Sequence, residues 1–368
     1  MKTARLCAGL MAVLVLTVSG CSAADQAQNP SPTSAAALTS CPATPLQAPA
    51  GNGQAPQGPP MNELKVPVDT STSKVIDPAG AKQIQCGRTQ LKTTDDVAYS
   101  TATLANGTAK PLHLDIQVPA GDSAKPLVVY VPGGGFSSAN RKQTLNLRTF
   151  VAESGYVVAS IEYRVQPDGA TYADGLADIK AAVSYLRTNA ATYGINPDKV
   201  ALWGESAGGY LASMAGVTDT DPKSRVQAVI DKFGASDISK LMADYGPQIE
   251  QGFANSPNPI GQYITGSPAK SLAASPEAVT AANPVTHADA GDPPLLIFHG
   301  DNDRVISPSQ TLLLHNAMTK AGATSTRYVV HGADHGDLAF IGDPNAVSPW
   351  STEPVVSAMV DFLKATLS

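Results

Sequence analysis

The chain has 368 residues, a net charge of −6 and only 15% charged residues. This length allows one large domain with tails, or two modest domains. The acidic balance, without any basic run, argues against nucleic acid as a partner. The 31 glycines and 29 prolines favour a loop-rich exported protein over a helical bundle.

Residues 1–20 have the pattern of an export signal. Lys2 and Arg5 precede an apolar run over residues 6–18, which is too short to span a bilayer. The run ends in Val-Ser-Gly-Cys, which resembles the lipobox of bacterial lipoproteins. The resemblance implies cleavage before Cys21, a lipid on that cysteine, and an exported protein held at the outer face of the cell membrane. An ordinary secretory signal with an incidental cysteine is the alternative.

A tether is predicted from residue 21 to residue 85. Residues 22–60 are rich in Ala, Pro, Ser, Gln and Gly and contain almost no large apolar side chains. Such a composition cannot bury enough surface to fold, so this stretch is expected to be flexible. A globular pattern begins near residue 86, which predicts one domain over residues 86–368.

The four cysteines separate into two groups. Cys7 leaves with the signal, and Cys21 is the predicted lipid attachment site. Cys41 and Cys86 remain as an even pair in an oxidising setting, which predicts a disulfide between the end of the tether and the domain. Two unrelated free thiols are the alternative.

Strand and helix patterns alternate along the domain. The predicted strands lie near residues 97–99, 112–118, 126–131, 157–161, 200–203, 226–233, 295–298 and 326–331. The predicted helices lie near residues 176–186, 209–216, 309–321 and 356–363. The strand at 112–118 alternates apolar and polar residues as a half-exposed antiparallel edge does. The alternation predicts an α/β fold with a mostly parallel sheet, helices on both faces, and a site at the carboxyl ends of the strands.

Residues 237–292 form a long connection rich in Pro, Ser, Ala and Asn. Connections of this length within a compact domain are usually functional. The segment is therefore interpreted as a partial lid with some helix, and an inert surface excursion is the alternative.

Residues 204–208, Gly-Glu-Ser-Ala-Gly, stand between a predicted strand and a predicted helix of small residues. The Gly-x-Ser-x-Gly pattern in this context indicates a nucleophile elbow, a strained turn that lifts the serine hydroxyl clear of the sheet. Ser206 is the candidate nucleophile. The amide of Ala207, at the start of the helix, can hold a developing negative charge. In a glycine-rich chain such a pattern can also arise by chance.

A serine nucleophile needs a base to take its proton, and the base needs a carboxylate to fix its tautomer. Asp301 and Asp303 directly follow one buried strand, and Asp303 is preferred as the acid. His331 and His335 follow the next strand, and His335 is preferred as the base. The order nucleophile, acid, histidine is that of the α/β-hydrolase fold.

A metal site is an alternative use of the cluster His331, Asp334 and His335. No further carboxylate or cysteine set accompanies the cluster, so no metal and no other cofactor is predicted. The remaining histidines are interpreted as structural: His113, His287, His299 and His315.

Residues 132–136, Pro-Gly-Gly-Gly-Phe, follow a buried strand. The glycines allow the backbone to approach a substrate oxygen, and the amides of Gly134 and Gly135 can act as oxyanion donors beside that of Ala207. The run lacks the Gly-Lys-Ser/Thr ending of a phosphate-binding loop, which argues against a nucleotide ligand.

Together these motifs resemble the carboxylesterase branch of the α/β-hydrolases, above all its hormone-sensitive-lipase-like and feruloyl-esterase-like members. The resemblance covers roughly residues 90–368 and rests on residues 130–136, 162–164, 193–198, 204–209, 293–303 and 335–336. It implies an α/β-hydrolase fold with a central sheet and a partial lid. It also implies a nucleophile, an acid, a base and three oxyanion donors at Ser206, Asp303, His335, Gly134, Gly135 and Ala207.

One position departs from the family pattern. Pro132 stands where the family usually has a histidine that braces the glycine loop, which puts the geometry of the oxyanion hole and the substrate range in question. The leading hypothesis is a lipid-anchored serine esterase for short acyl or aryl esters, acting through an acyl-enzyme on a small-molecule substrate. A serine peptidase of the prolyl-oligopeptidase type shares the elbow, but the chain lacks room for a propeller domain. A non-catalytic binding or scaffold protein on the same fold is the alternative from another class.

Overall fold

The computed structural model describes residues 38–42, 62–336 and 348–368. The predicted signal segment, the lipid site at Cys21 and most of the predicted tether lie outside these residues. Among the helices that the structure describes, none is both long and apolar enough to cross a membrane.

Strands and helices alternate through most of the described chain. The strands are β1 (Thr39–Ser40), β2 (Lys74–Ile76), β3 (Gln85–Cys86), β4 (Leu91–Thr103), β5 (Ala109–Pro119), β6 (Lys125–Val131), β7 (Val157–Ile161), β8 (Ile195–Glu205), β9 (Ala228–Lys232), β10 (Leu295–Gly300) and β11 (Ser325–Val330). The helices are α1 (Leu145–Glu153), α2 (Tyr172–Thr188), α3 (Ala190–Tyr193), α4 (Ala207–Thr218), α5 (Pro247–Asn255), α6 (Pro259–Thr265), α7 (Pro276–Ala281), α8 (Ser309–Ala321) and α9 (Glu353–Leu367).

Among the described residues, nine strands form one sheet in the order β2-β11-β10-β9-β8-β6-β7-β5-β4. β5 pairs antiparallel with both β4 and β7, and the other neighbours are parallel. Consecutive side chains of a strand point to opposite faces. In β6, Leu127 and Val129 therefore belong to one apolar core with α2, α4 and α8, and Val128 and Tyr130 belong to a second core with α1 and α9. The predicted mostly parallel sheet with helices on both faces is confirmed.

β5 differs from the half-exposed edge that its alternating pattern predicts. It is antiparallel, but it lies between β4 and β7, and its polar residues Asp115 and Gln117 are buried. Arg141 Nε lies 2.9 Å and Lys142 Nζ 2.7 Å from the carboxylate of Asp115. Gln117 donates to the hydroxyl of Thr149 at 3.0 Å. The polar face of the strand is therefore covered by polar protein groups.

The domain begins before the predicted boundary at residue 86. β2 adds a parallel edge strand beside β11. The amide of Asn62 donates to the carbonyl of Arg304 at 2.8 Å, and the amide of Lys65 donates to the carbonyl of Asp244 at 2.8 Å. These are main-chain hydrogen bonds. They leave no apolar pattern in the sequence, so composition could not reveal them.

Cys41 and Cys86 form a disulfide across a sequence separation of 45. Beside it, β1 pairs antiparallel with β3, and Thr39 lies opposite Cys86. The disulfide and this short ladder fasten residues 38–42 to the domain.

Replacing Cys41 and Cys86 by Ala should destabilise the domain. The cross-link restricts the unfolded chain, and its loss costs about 2–4 kcal/mol for a loop of this size. We expect the Tm to fall by at most about 2–4 °C per kcal/mol, measured by circular dichroism. Wild-type protein heated with a reductant is the control and should behave like the double variant. Equal Tm values for oxidised wild type and variant would contradict the prediction.

A buried carboxyl lies between β9 and α4. Asp231 accepts hydrogen bonds from the amide of Gly234 at 2.9 Å and from the hydroxyl of Ser213 at 3.1 Å. Burial, only partly opposed by these two bonds, raises the pKa of Asp231 to about 7. In the unfolded chain the same group loses its proton near about pH 4. Between these values the folded state holds the extra proton, so stability falls as pH rises through this window.

Asp231→Asn should reduce that pH dependence. The amide can keep both hydrogen bonds, because its oxygen accepts from Gly234 and its NH2 donates to Ser213. From about pH 4 to pH 7, we expect the free energy of unfolding to fall more steeply in wild type, by on the order of 1 kcal/mol per pH unit. Urea titrations at several pH values measure both slopes. Equal slopes of the free energy of unfolding against pH in wild type and variant would show that Asp231 does not titrate in this range.

Candidate active site

Ser206 occupies the turn between β8 and α4. Its backbone is at φ 55° and ψ −121°, a conformation that costs energy for any residue except glycine. The amide of Ser206 donates to the carbonyl of Lys232 at 2.9 Å, which ties the turn to the end of β9. A Cβ at Gly208 would overlap the carbonyl oxygen of Val131, so this side of the turn requires glycine. The predicted elbow geometry is therefore present.

His335 reaches Ser206 from the loop after β11. Its Nε2 lies 2.8 Å from Ser206 Oγ, and its Nδ1 lies 2.7 Å from Asp303 Oδ2. An ionised carboxylate can only accept, so Nδ1 carries the proton and Nε2 is left to accept from the serine hydroxyl. The ring of Phe233 packs against the imidazole, with centroids 4.8 Å apart. The arrangement can take a proton from Ser206.

Asp303 is completely buried at the end of β10. Its Oδ1 accepts from the amides of Val305 and Ile306, both at 2.9 Å. Its Oδ2 contacts His335 and also lies 3.0 Å from Nε2 of His299. Burial alone would raise the pKa of Asp303, but the two histidines outweigh it and hold the pKa well below the ordinary aspartate value. The carboxylate therefore stays ionised at neutral pH.

The two candidates that the sequence ranked second pair with each other. His331 Nδ1 lies 2.7 Å from Asp301 Oδ2, and the amide of Gly332 donates to Asp301 Oδ1 at 2.7 Å. The His331 side chain is 64% exposed, whereas that of His335 is buried. His335 thus contacts both Ser206 and Asp303, whereas His331 contacts Asp301.

Asp334 links the acid loop to the histidine loop. It accepts from Nε of Arg304 at 2.7 Å, from the amide of Arg304 at 3.1 Å and from the amide of His335 at 2.7 Å. Its carboxylate is thus engaged in holding the two loops together. Across residues 38–42, 62–336 and 348–368, no group of three or more His, Cys, Asp or Glu side chains is arranged to hold a metal ion.

The glycine loop after β6 passes directly beside the nucleophile. A Cβ on Gly133 would lie 3.1 Å from the Cβ of Ser206. In the described part of the chain, the amides of Gly134, Gly135 and Ala207 have no hydrogen-bond acceptor. Three free donors therefore lie on the two segments next to Ser206, which is the chemistry that a developing oxyanion requires.

Both ends of the glycine loop are held from outside it. The hydroxyl of Tyr163 donates to the carbonyl of Pro132 at 2.8 Å, and the amide of Gln166 donates to the carbonyl of Phe136 at 2.7 Å. The ring of Phe136 stacks on Tyr263 of α6, with centroids 4.7 Å apart. Since any residue offers a carbonyl, Pro132 keeps the bond to Tyr163 although it lacks the side chain that the family usually has there.

The segment 237–292 contains α5, α6 and α7. It contacts the acid loop, where the hydroxyl of Tyr245 donates to the carbonyl of Asp303 at 3.1 Å. It also contacts α4, where the hydroxyl of Tyr210 donates to the carbonyl of Ala282 at 2.8 Å. The segment is thus packed on the site-forming elements, and its role as a lid stays a prediction.

Sequence reasoning misses two buried groups beside the site. The sequence favours a structural role for His299, yet this histidine lies against Asp303, four residues further along the chain. Lys232 is 1% exposed, and its Nζ lies 2.7 Å from Glu205 Oε1, next to the nucleophile. The spacing of His299 and Asp303 is a signal that could have been found. The lysine offers no such signal, because the pattern of β9 does not distinguish a buried lysine at the strand end from an exposed one.

A family model for BD-FAE matches residues 114–318. This range runs from β5 to α8 and contains the glycine loop, Ser206 and Asp303, whereas His335 lies beyond it. Among curated proteins, the chain is similar to the probable carboxylic ester hydrolase LipM of Mycobacterium tuberculosis, at 30% identity over 228 residues. That alignment covers 58% of this chain and 49% of LipM, and the chain spans about half the length of the first curated relatives it matches.

The similar solved structures include esterases as well. A truncated carbohydrate esterase from gut microbiota aligns at 26% identity with a TM-score of 0.62, covering 75% of this chain and 96% of the other. Esterase 2 of Thermogutta terrifontis aligns at 25% identity with a TM-score of 0.56, covering 75% of this chain and 92% of the other. The latter has also been solved with butyrate bound and phosphonylated by sarin. The chain therefore belongs to the BD-FAE family, and the predicted α/β-hydrolase fold of the esterase branch is confirmed.

Proposed function

We propose that the protein is a carboxylic ester hydrolase that forms an acyl-enzyme on Ser206. The observation that carries the proposal is the position of His335, with one ring nitrogen 2.8 Å from Ser206 Oγ and the other 2.7 Å from Asp303 Oδ2. Only a serine that must lose its proton needs such a base and such a carboxylate. The esterase names of the similar proteins support the same reaction class.

The reaction follows from the three groups and the free amides. His335 Nε2 takes the proton as Ser206 Oγ attacks the ester carbonyl carbon, and Asp303 stabilises the imidazolium. The amides of Gly134, Gly135 and Ala207 receive the negative charge on the carbonyl oxygen. His335 then protonates the leaving alcohol, and the acyl group stays on Ser206. Water, activated by the same histidine, releases the acid and restores the serine.

The proposal extends to substrates and location. Short acyl or aryl esters are the proposed substrates, and the butyrate-bound esterase 2 and the carbohydrate esterase among the similar structures support short acyl groups, including those on sugars. The proposed location is the outer face of the cell membrane, with a lipid on Cys21 as the anchor. That part of the proposal is supported by the pattern of residues 1–21 alone.

Ser206→Ala should abolish ester hydrolysis. Without the nucleophile, we expect kcat on p-nitrophenyl esters to fall by more than about 1,000-fold. Acyl chains from acetate to laurate should show turnover that falls beyond the short esters. A fluorophosphonate probe should label wild type and the exposed-serine control Ser123→Ala, but not Ser206→Ala. Labelling or turnover that survives in Ser206→Ala would refute the proposed nucleophile. A folded wild type that neither turns over nor reacts would favour the non-catalytic alternative.

Asp303→Asn and Asp301→Asn form a matched pair, because they are the same change two positions apart. An amide in place of the Asp303 carboxylate can no longer hold His335 in the required tautomer, so kcat should fall by about 100- to 10,000-fold. Asp301→Asn removes only the exposed pair with His331 and should leave kcat within about two-fold of wild type. Steady-state kinetics at pH about 8 separate the variants. The reverse order of damage would assign the acid to Asp301.

A further inference from the structure

His299 lies completely buried at the end of β10, behind the carboxylate of Asp303. Its Nε2 is 3.0 Å from Asp303 Oδ2 and 3.2 Å from the carbonyl oxygen of Ile306. Both oxygens can only accept hydrogen bonds, so Nε2 must carry a proton; it donates to the carbonyl of Ile306 while the carboxylate of Asp303 lies in contact with the same nitrogen. The tautomer of His299 is fixed by this contact.

The opposite edge of the His299 ring is held by α8 and β11. Its Nδ1 lies 2.9 Å from the hydroxyl oxygen of Thr311. Arg327 donates to that same oxygen through Nε at 3.0 Å, and its Nη2 donates to the carbonyl of Pro308 at 3.0 Å. The threonine oxygen thus accepts from the arginine, which leaves its own hydrogen available for Nδ1. A continuous row of polar contacts therefore connects Arg327, Thr311, His299 and Asp303 in that order.

The surroundings favour a neutral His299. Burial, helped by the positive charge of Arg327, lowers the pKa of the imidazole against the opposing effect of Asp303. A cationic His299 would compensate the charge of Asp303 internally and weaken the support that His335 needs as an imidazolium. A neutral His299 can orient the carboxylate of Asp303 without compensating its negative charge.

We propose that His299 is a positioning residue of this active site, which acts as a neutral Nε2–H donor and shares Asp303 Oδ2 with His335. The proposal rests on the proposed function, since its consequence concerns the base of the same reaction. With Oδ1 bound by two amides and Oδ2 bound by two imidazoles, the buried carboxylate cannot rotate away from His335. The shared oxygen also attracts the His335 proton less strongly than an unshared one would. Loss of His299 should therefore move the acid limb of the pH profile of kcat/KM to higher pH.

The other charged or titratable groups around this row are paired or neutral. Arg304 is bound by Asp334, Lys232 is bound by Glu205, and the carboxylate of Asp244 accepts from the amide of Ser309. Tyr245 faces Asp303 from the insertion, and burial raises the pKa of its phenol, so it stays protonated. Asp301 and His331 are engaged with each other on the exposed side. The pH dependence of kcat/KM is thus expected to report on Asp303 and His299.

The first test uses the full wild-type chain and needs no turnover. NMR on ring-labelled histidines, between about pH 5 and pH 9, should show a His299 that does not titrate and carries its only proton on Nε2. A His299 protonated on both nitrogens near neutral pH, or on Nδ1 alone, would overturn the proposal.

The second test compares His299→Phe with His299→Gln. Phe keeps the ring but removes the donor, so the acid limb of kcat/KM should move to higher pH by about one unit. We also expect kcat at the plateau to fall about ten-fold as Asp303 loses its orientation. Gln offers an amide hydrogen near the position of Nε2 and should keep the wild-type limb. If His299 had only a structural role, His299→Phe would lower the stability of the protein without moving the acid limb of kcat/KM.

His315→Phe is the matched control. His315 is also a buried histidine with two hydrogen bonds, to Ser325 Oγ at 2.8 Å and to the carbonyl of Thr72 at 3.1 Å, and it lies on α8 with Thr311. The substitution His315→Phe should leave the acid limb of kcat/KM unchanged. An unmoved acid limb of kcat/KM in His299→Phe, or an equal movement in His315→Phe, would refute the proposal. Should wild type show no turnover and no fluorophosphonate labelling, the proposed function fails, whereas the NMR titrations still decide the role of His299.

Discussion

The strained backbone of Ser206 is the constraint on which the rest of the site depends. A non-glycine residue at φ 55° and ψ −121° persists only where its surroundings hold it. Here the surroundings are the carbonyl of Lys232, which accepts the Ser206 amide, and the close approach of the β6 end to Gly208. The same crowding brings the glycine loop against the nucleophile. The close approach of the β6 end to the elbow thus accounts both for the glycine at position 208 and for the position of the glycine loop.

The polar groups behind the nucleophile are buried and bonded to one another. Burying a charge without a partner is costly, and a buried group that is fully bonded is also fixed in orientation. Asp303 meets this condition through two amides and two imidazoles, and Lys232 meets it through Glu205. Such a site has its dipoles in place before substrate arrives, which is the main requirement for electrostatic stabilisation of a transition state.

The insertion between β9 and β10 is connected to the reaction centre through tyrosines. Tyr245 bonds to the backbone of Asp303, and Tyr263 stacks on Phe136 at the end of the glycine loop. Tyr263 also donates to the carbonyl of Arg164, next to the Tyr163 that holds Pro132. The acid, the glycine loop and the insertion therefore share contacts, so the packing of the insertion bears directly on the geometry of the glycine loop.

The amino-acid sequence by itself determined the fold class, the elbow, the order of the acid and histidine loops, and helix α8 at residues 309–321. These features depend on local periodicity and on glycines that a turn requires, and both can be identified from residues that are neighbours in the sequence. Helix α1 was not predicted, because its buried face includes the polar residues Arg148 and Thr149 and therefore shows no continuous apolar pattern. Only the tertiary structure decided that β5 is an inner strand, that β2 joins the sheet, and that His299 lies behind Asp303. The places of β5 and β2 depend on hydrogen bonds between segments far apart in the chain, and such partners have no local signature. The contact between His299 and Asp303 spans only four residues, but the histidine is held there by Thr311 of α8, which is bound in turn by Arg327 of β11.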